Sequence, residues 1–421
     1  MGTPDTAAVV GVPDRRVVHA AVTCGLCGGG VRVFLDFGEV VLAGAFTKRP
    51  EWQEKYPLRL VKCGTCHAVQ LADKVSPELM FKEYRYFSSA TQTMREHFRA
   101  YAQQLVERFN PQSVLEIGCN DGVMLYPLME LGVRVAGVDP SSAAAGVPNV
   151  RQAFFTEALA KTIEPVDVVL ASNVFAHMPD IKDAVRGVRA AMKDDGVFVF
   201  EVNHLGRMLK GLQYDWIYHE HAYYHSLLSL SLLFSKYGMT VFDVEDLPTH
   251  AGSVRFYVCK DTRPVSKSVT KLLSDELGQL LHLDGTFENF AESVHAHRKT
   301  LRAMLGRLKA QGKRIAGYGA CGRAAAMIQW CDIGGYLEYM VDDSPEKQGY
   351  LMPASHLPIY GRQALTDRPV DYVLVFAWSF LSEIKRKHDL PMIVPLPCVR
   401  VLNETRAVWK SMDGIGEWRA A

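Results

Sequence analysis

The chain has 421 residues, 48% of them hydrophobic and 22% charged, which is enough for about two to four domains with ordinary apolar cores. Its 47 basic and 46 acidic side chains leave a net charge of +1, so no electrostatic excess points to nucleic acid or an anionic membrane. No apolar run reaches the roughly 18 residues of a membrane span, the first twenty residues lack the apolar core of a signal peptide, and the odd number of cysteines, nine, argues against a disulfide framework; a cytoplasmic protein with reduced thiols is expected.

Residues 1–20 read as a tail. Residues 21–76 form a first unit of short strands and turns carrying Cys24-Gly-Leu-Cys27 and Cys63-Gly-Thr-Cys66, with 35 residues between the two pairs. Two residues between thiols let both sulfurs meet one tetrahedral ion, and four thiolates leave zinc no open position for water. Structural zinc on Cys24, Cys27, Cys63 and Cys66 is therefore expected. Residues 77–109 read as helical, with Met94, Phe98, Tyr101 and Leu105 on one face. Short apolar strands at 113–118, 133–139, 166–172 and 197–202 then alternate with helices such as 122–131 and 181–192. That pattern predicts crossover connections and a mostly parallel sheet within a unit spanning 77–263. Residues 264–312 are charged and helix-forming, a long connector broken near Asp284-Gly285. A second alternating series, with strands at 314–319, 336–341 and 371–376, predicts another doubly wound unit over 313–421.

The segment Val114-Leu-Glu-Ile-Gly-Cys-Asn-Asp-Gly-Val-Met-Leu125 is a strand, a glycine-containing turn and a helix. Gly118 and Gly122 let a ligand approach the backbone, and a carboxylate at Glu116 or Asp121 suits an ammonium or hydroxyl group. G-x-G-x-x-G is absent here, so nothing in this turn is built for a pyrophosphate. The next strand ends in Gly137-Val-Asp139-Pro140-Ser141, and Asp139 lies 21 positions after Gly118, where doubly wound sheets hold ribose hydroxyls. Adenosine with a positively charged amino-acid tail fits both features. E-I-G-C-N-D-G followed by V-D-P-S resembles motifs I and II of class I methyltransferases. The resemblance implies S-adenosylmethionine as methyl donor. It would be held by Glu116, Gly118, Asn120, Asp121 and Gly122 at its methionine part and by Asp139 and Pro140 at its ribose, with Asn173 lining the pocket. An acid often follows the third strand to bind the adenine amino group; here the sequence is Arg151-Gln-Ala-Phe-Phe155, and Gln152 or the backbone would have to substitute.

Residues 214–226 read Tyr-Asp-Trp-Ile-Tyr-His-Glu-His-Ala-Tyr-Tyr-His-Ser. Titratable groups crowded among aromatics suggest a ligand site with tuned pKa values; His-Glu-His as metal ligands competes, but a fourth ligand is not evident. In order along the chain stand the C-G-x-C pairs, L-A-G-A-F at 42–46, Tyr84-Arg-Tyr-Phe-Ser-Ser89 and the E-I-G-C-N-D-G loop. Y-H-E-H at 218–221, H-A-G-S-V-R at 250–255, G-Y-G-A at 317–320 and F-A-W at 376–378 follow. From about Cys24 to Val401 the chain resembles the three-domain C-methyltransferases of deoxysugar biosynthesis, which methylate C-3 of a nucleotide-linked 4-keto sugar. The fold this implies is α/β: a small N-terminal zinc-binding domain, a central class I, Rossmann-like methyltransferase domain and a C-terminal Rossmann-like domain.

By the same resemblance His221 is the general base with Tyr218 and Glu220 beside it, Tyr86 (or Tyr84) is the family's tyrosine from the end of the zinc domain, and His177 is a pocket histidine; the residues alone read equally as a satisfied core histidine at 177 and as Tyr84 packed beneath the knuckles. The substrate implied is a dTDP-linked keto-deoxysugar of antibiotic-type metabolism. A carbon beside a ketone loses a proton only if the enolate is stabilised. A neutral histidine accepts that proton, a tyrosine hydroxyl donates to the enolate oxygen, and carbon then takes the sulfonium methyl in line. His250 and Arg255 flank a Gly-Ser turn and are either strand-end residues or part of the substrate site, where Arg255 would meet a phosphate. Gly317-Tyr318-Gly319-Ala-Cys-Gly322 is a G-x-G-x-x-G opening a helix, followed by Asp342-Asp343. Tyr318 and Gly319 are either part of the nucleotide-sugar site or a purely structural turn. Two other functions compete: methylation of a non-sugar metabolite, and a zinc-stabilised nucleotide sensor without catalysis. The partners expected are a nucleotide sugar, no nucleic acid and no membrane, with the protein a monomer.

Overall fold

The computed structural model describes residues 17–18, 23–82, 87–247, 252–260 and 263–402; Tyr84, Tyr86 and His250 lie outside the described residues. The N-terminal unit is an antiparallel sheet of β1 (Val31–Val41), β2 (Lys55–Cys63) and β3 (Val69–Leu71). Val31 pairs with Cys63, so both cysteine knuckles sit at the same end of the sheet. The strands are longer than the short ones expected from the sequence.

The helical reading of 77–109 divides. A short helix covers Pro77–Phe81, and α1 (Gln92–Phe109) starts only where the Thr91 hydroxyl accepts from the Met94 amide at 3.3 Å. α1 buries Met94, Phe98, Tyr101, Ala102 and Leu105 along one stripe and ends at Asn110 in the left-handed region.

The central sheet contains β4 (Ser113–Ile117), β5 (Arg134–Val138), β6 (Val150–Arg151), β7 (Val166–Ser172) and β8 (Met192–Asn203). Helices α2 (Leu125–Glu130) and α3 (Ile181–Ala191) cross between strands. After β8 come β9 (Tyr223–Tyr224), α4 (Leu227–Ser235), β10 (Thr240–Leu247) and β11 (Ser253–Cys259). The order is β10-β11-β8-β7-β4-β5-β6, with β4 to β8 parallel and β11 antiparallel to both its neighbours. The middle strands are buried on both faces, which is why they read as unbroken apolar runs. Strand order reverses between β4 and β7, and a crevice opens there beyond their carboxyl ends. β9 leaves this sheet altogether: Tyr223 pairs with Gln70 and Tyr224 with Val69, extending the N-terminal sheet.

The expected connector is two helices, α5 (Lys267–Gly278) and α6 (Asp284–Ala310), and the break falls over 279–283, just before the predicted Asp284-Gly285. It is also not a free connector. α6 buries Phe287, Phe290, Val294, Leu301 and Leu305 in one core shared by the N-terminal sheet, residues 205–224 and the C-terminal sheet. Phe34 of β1 meets Phe287 edge-on at 5.1 Å, and Lys62 of β2 donates to Asp284 at 2.7 Å.

The C-terminal sheet is formed by β12 (Ile315–Tyr318), β13 (Met340–Val341), β14 (Ile359–Tyr360), β15 (Tyr372–Val375), β16 (Met392–Val394) and β17 (Arg400–Leu402), with α7 (Gly322–Cys331) following β12. The order is β14-β13-β12-β15-β16-β17, all parallel except β17. The strand predicted from 336 begins at Met340, because Gly334–Tyr336 take a tight helical turn. This sheet has its own reversal point, between β12 and β15.

Candidate active site

The two reversal points open into one cavity of about 920 Å3, lined by Gly118 and Asn173 on one side and by Gly319 and Ala377 on the other. Each floor is a glycine that tolerates nothing larger. Gly118 has φ +69, and a Cβ there would lie 2.6 Å from Val174 Cγ2; Gly319 has φ +94, and a Cβ there would lie 2.6 Å from Ala377 Cβ. Each following loop is pinned by the acid ending the second strand of its sheet. Asp139 accepts from the Asn120 and Ser141 amides, both at 2.8 Å; Asp342 accepts from the Ala320 amide at 2.7 Å and the Ser344 amide at 2.9 Å.

On the central-sheet side Gly118, Asn120, Asp139, Pro140 and Asn173 line the cavity, and Asn120 and Asn173 hold left-handed backbones, φ +47 and +57. Glu116, Asp121 and Gly122 are not brought to the wall. Glu116 is buried in β4 behind the turn, and Asp121 accepts from the Ser89 amide and hydroxyl at 3.1 and 2.6 Å. Glu116 Oε2 and Asp121 Oδ1 are nonetheless buried with no partner among the described residues. Burial, with Asp139 and Asp121 nearby, pushes the Glu116 carboxyl well above its ordinary range. A cluster of carboxylates short of cations fits a ligand bearing an ammonium and a sulfonium. Gln152 does not face the cavity: its amide donates to the Ser141 carbonyl at 3.1 Å, while Phe154 and Phe155 line the wall.

Between the two floors stands the segment 214–221. Tyr218, Glu220 and His221 all line the cavity, as does His177. His221 Nδ1 donates to the Trp216 carbonyl at 2.6 Å, which leaves the imidazole lone pair on Nε2. Its ring centroid is 4.3 Å from Tyr218, 5.0 Å from His177 and 5.4 Å from Trp216. Burial lowers the His221 pKa to about 4, and lowers His177 well below its ordinary value with His221 adding to the effect. Burial and then the Glu220 charge hold the Tyr218 hydroxyl protonated, far above its usual range. A neutral histidine beside a protonated tyrosine in a half-buried wall is suited to moving a proton between carbon and oxygen.

On the C-terminal side Tyr318 and Gly319 line the cavity, and the Tyr318 hydroxyl donates to Asp343 at 3.0 Å. Three cations not singled out from the sequence also line it: Arg323, Lys347 and Lys387. Arg323 directly follows the G-x-G-x-x-G, so its place in the first turn of a helix was the signal available. Arg255 is a correction. Instead of meeting a phosphate it is 1% exposed in β11, gives two bonds to Glu201 at 2.9 and 2.6 Å and one to Glu245 at 2.8 Å, and lies 3.6 Å from the Tyr101 ring. Its charge is spent on carboxylates away from the cavity.

The cysteine sulfurs lie within 4.8 Å of one another, with Cys24–Cys66 at 3.5 Å and Cys27–Cys63 at 3.4 Å. Zinc–sulfur bonds near 2.3 Å give tetrahedral edges of about 3.8 Å, so the cage fits zinc. Amides of Gly29, Thr65 and Cys66 donate to the Cys27 and Cys63 sulfurs, as a thiolate cage requires.

A glycine turn at one reversal point, opening onto a cavity walled by titratable and aromatic side chains, is the arrangement a S-adenosylmethionine-dependent methyltransferase needs, and that is the class of this protein. Residues 24–81 match a family model described as a zinc binding domain, 91–244 one described as a methyltransferase domain, and 248–394 one described as a C-methyltransferase C-terminal domain. The C-methyltransferase NovU of Streptomyces niveus is 32% identical over 414 residues, covering 92% of this chain and 99% of NovU. The chain belongs to this family of three-domain C-methyltransferases. A ubiquinone biosynthesis O-methyltransferase of Methylobacterium nodulans is 38% identical over 96 residues, only 20% of this chain and 39% of that protein. Among solved structures, magnesium protoporphyrin IX methyltransferase from Synechocystis PCC 6803 aligns at 16% identity and a TM-score of 0.30, over 39% of this chain and 78% of that one, too distant a likeness to argue from.

Proposed function

We propose that this protein methylates C-3 of a nucleotide-linked, dTDP-type 4-keto-deoxysugar. What carries the reading is a single cavity flanked by both reversal points, with neutral His221 and protonated Tyr218 between them. When bound, S-adenosylmethionine supplies an electrophilic methyl group. Gly118, Asn120, Asp139, Pro140 and Asn173 would hold it, with Glu116 and Asp121 behind the turn, where a bound cation would draw Glu116 back toward its carboxylate form. The C-terminal side, with Tyr318, Gly319 and the cations Arg323, Lys347 and Lys387, would hold the nucleotide of the substrate.

His221 takes the C-3 proton on Nε2. A pKa of about 4 makes it a weak base at neutral pH, so the driving force has to come from the enolate side. Tyr218, kept protonated, donates to the enolate oxygen, and Glu220 orients the segment or holds a sugar hydroxyl. Tyr86 (or Tyr84), outside the described residues, keeps the pocket role that the family resemblance implies.

The test uses the protein, S-adenosylmethionine and a dTDP-4-keto-deoxysugar deuterated at C-3. The expected product is heavier by one methyl and has lost deuterium from that carbon. His221→Asn should lower turnover by roughly 100-fold or more while donor affinity is kept. Near-normal turnover in His221→Asn would remove it as the base, and methyl transfer that spares the C-3 deuterium would point to a different acceptor.

A further inference from the structure

The reacting segment is tied to the C-terminal sheet through one buried carboxylate that no step of the proposed chemistry uses. Asp215, 1% exposed, lies in the helical turn Tyr214–Trp216. Its Oδ2 accepts from Arg323 Nε at 2.8 Å and from Trp378 Nε1 at 2.9 Å, while Oδ1 is buried with no partner among the described residues. The Arg323 guanidinium lies between two indoles, 4.8 Å from the Trp216 ring and 4.5 Å from the Trp378 ring. Trp216, next in the chain after Asp215, supplies the carbonyl that receives His221 Nδ1 at 2.6 Å. One peptide unit therefore separates the carboxylate from the acceptor that fixes the His221 tautomer. Apolar packing of similar shape would hold two domains together at least as well as a desolvated ion pair, so stability alone does not account for it.

We propose that Asp215 is a positioning residue for His221: it bolts the turn 214–216 to Arg323 and Trp378, so that the Trp216 carbonyl keeps the imidazole in one place and one tautomer. This rests on the reading of His221 as the base. Asp215 also balances Arg323, whose charge acts on His221 together with His177, Tyr218 and Tyr224 around the ring and Glu220 next to it in the chain. Occupation of the C-terminal side of the cavity, where Arg323 and Ser379 stand, would thereby be felt at the base.

The experiment uses the full, zinc-loaded chain and compares Asp215→Asn, Trp378→Phe and Asp215→Asn/Arg323→Gln. It reads kcat and KM for the keto sugar, donor affinity by calorimetry, and the nitrogen NMR signals of the His221 ring, identified by their loss in His221→Asn. Asp215→Asn should lower kcat on the order of tenfold or more and leave donor affinity unchanged. Its His221 ring signals should move, with protonation at lower pH because Arg323 is no longer balanced; adding Arg323→Gln should bring that midpoint back. Trp378→Phe keeps the ion pair and should give a smaller change in the same direction, and it decides the matter if Asp215→Asn does not fold. Unchanged His221 ring signals in Asp215→Asn, or in Trp378→Phe when the former does not fold, would overturn the proposal whatever happens to kcat. Full turnover in His221→Asn would instead sink the base assignment and leave the ring signals to decide the role of Asp215.

Discussion

Arg255 shows how a residue's neighbours in space override its neighbours in sequence. Beside Gly252-Ser253 it looks available to an anion, yet β11 is the antiparallel strand inserted between β10 and β8, and its side chains are buried. There the guanidinium meets Glu201 and Glu245 and covers Tyr101. Glu201 in turn bonds His97 Nε2 at 3.0 Å. Arg255→Ala should therefore cost about 3–5 kcal/mol, because a buried carboxylate loses its main partner. Urea unfolding checks this, and KM for the nucleotide sugar should stay near wild type in whatever fraction folds. Weakened sugar binding at unchanged stability would restore the phosphate role. Gly118, Asn120, Asp139 and Asn173 were legible because a turn at a strand end needs few atoms beyond its own residues. Glu116 and Asp121 were legible as charges but not as buried ones, since burial depends on what packs behind the turn.

At the scale of elements, the unexpected one is β9. Two residues, Tyr223 and Tyr224, leave the methyltransferase sheet and pair with β3 of the zinc unit, and the Leu71 amide donates to the Ala222 carbonyl at 2.9 Å. The knuckle presses on the same strand: the Gly25 amide donates to Gln70 at 2.7 Å, and a side chain at Gly25 would strike the Tyr223 hydroxyl. The zinc cage thus supports the residues immediately after His221. Cys63→Ser, or extraction by a strong chelator, should release the metal, speed hydrogen exchange at 222–224 and lower turnover by roughly tenfold or more. Donor affinity should fall less, because β9 pairs directly with β3, while the knuckle cysteines reach β4 and β5 only through the wider core they share with Leu115, Ile117 and Val138. Equal losses in both would mean that the zinc unit supports the whole molecule and not this segment.

Across the whole molecule, the N-terminal sheet, segment 205–224, α6 and the C-terminal sheet share one core. Burial of histidines at its edge and in the neighbouring core around Phe175 has a titration consequence. His219 and His225 are 2% and 1% exposed, and burial lowers each pKa to about 4. In the unfolded chain they bind protons near 6.5, so from about pH 6.5 down to 4 the unfolded state takes up protons that the folded state refuses. Stability should be level above pH 7 and fall as pH drops through that window, on the order of 2 kcal/mol per histidine by pH 5. The urea midpoint at pH 7 and pH 5, with zinc content followed in parallel, measures this. An unchanged midpoint with zinc retained would mean that these rings are protonated in the fold.

The amino-acid order alone determined three things about this protein: the zinc cage, the donor turn and the alternation of strands and helices that makes two doubly wound sheets. Each depends on spacings of a few residues, and local geometry enforces them wherever the chain goes. The tertiary structure decided which charges survive as ligands and which are consumed. It brought Gly118 and Gly319 to face one cavity across some two hundred residues of sequence, turned Arg255 inward, made the supposed connector a shared core and placed Asp215 under Arg323. These outcomes depend on which surfaces meet when apolar faces are buried together, and no short-range pattern encodes that pairing.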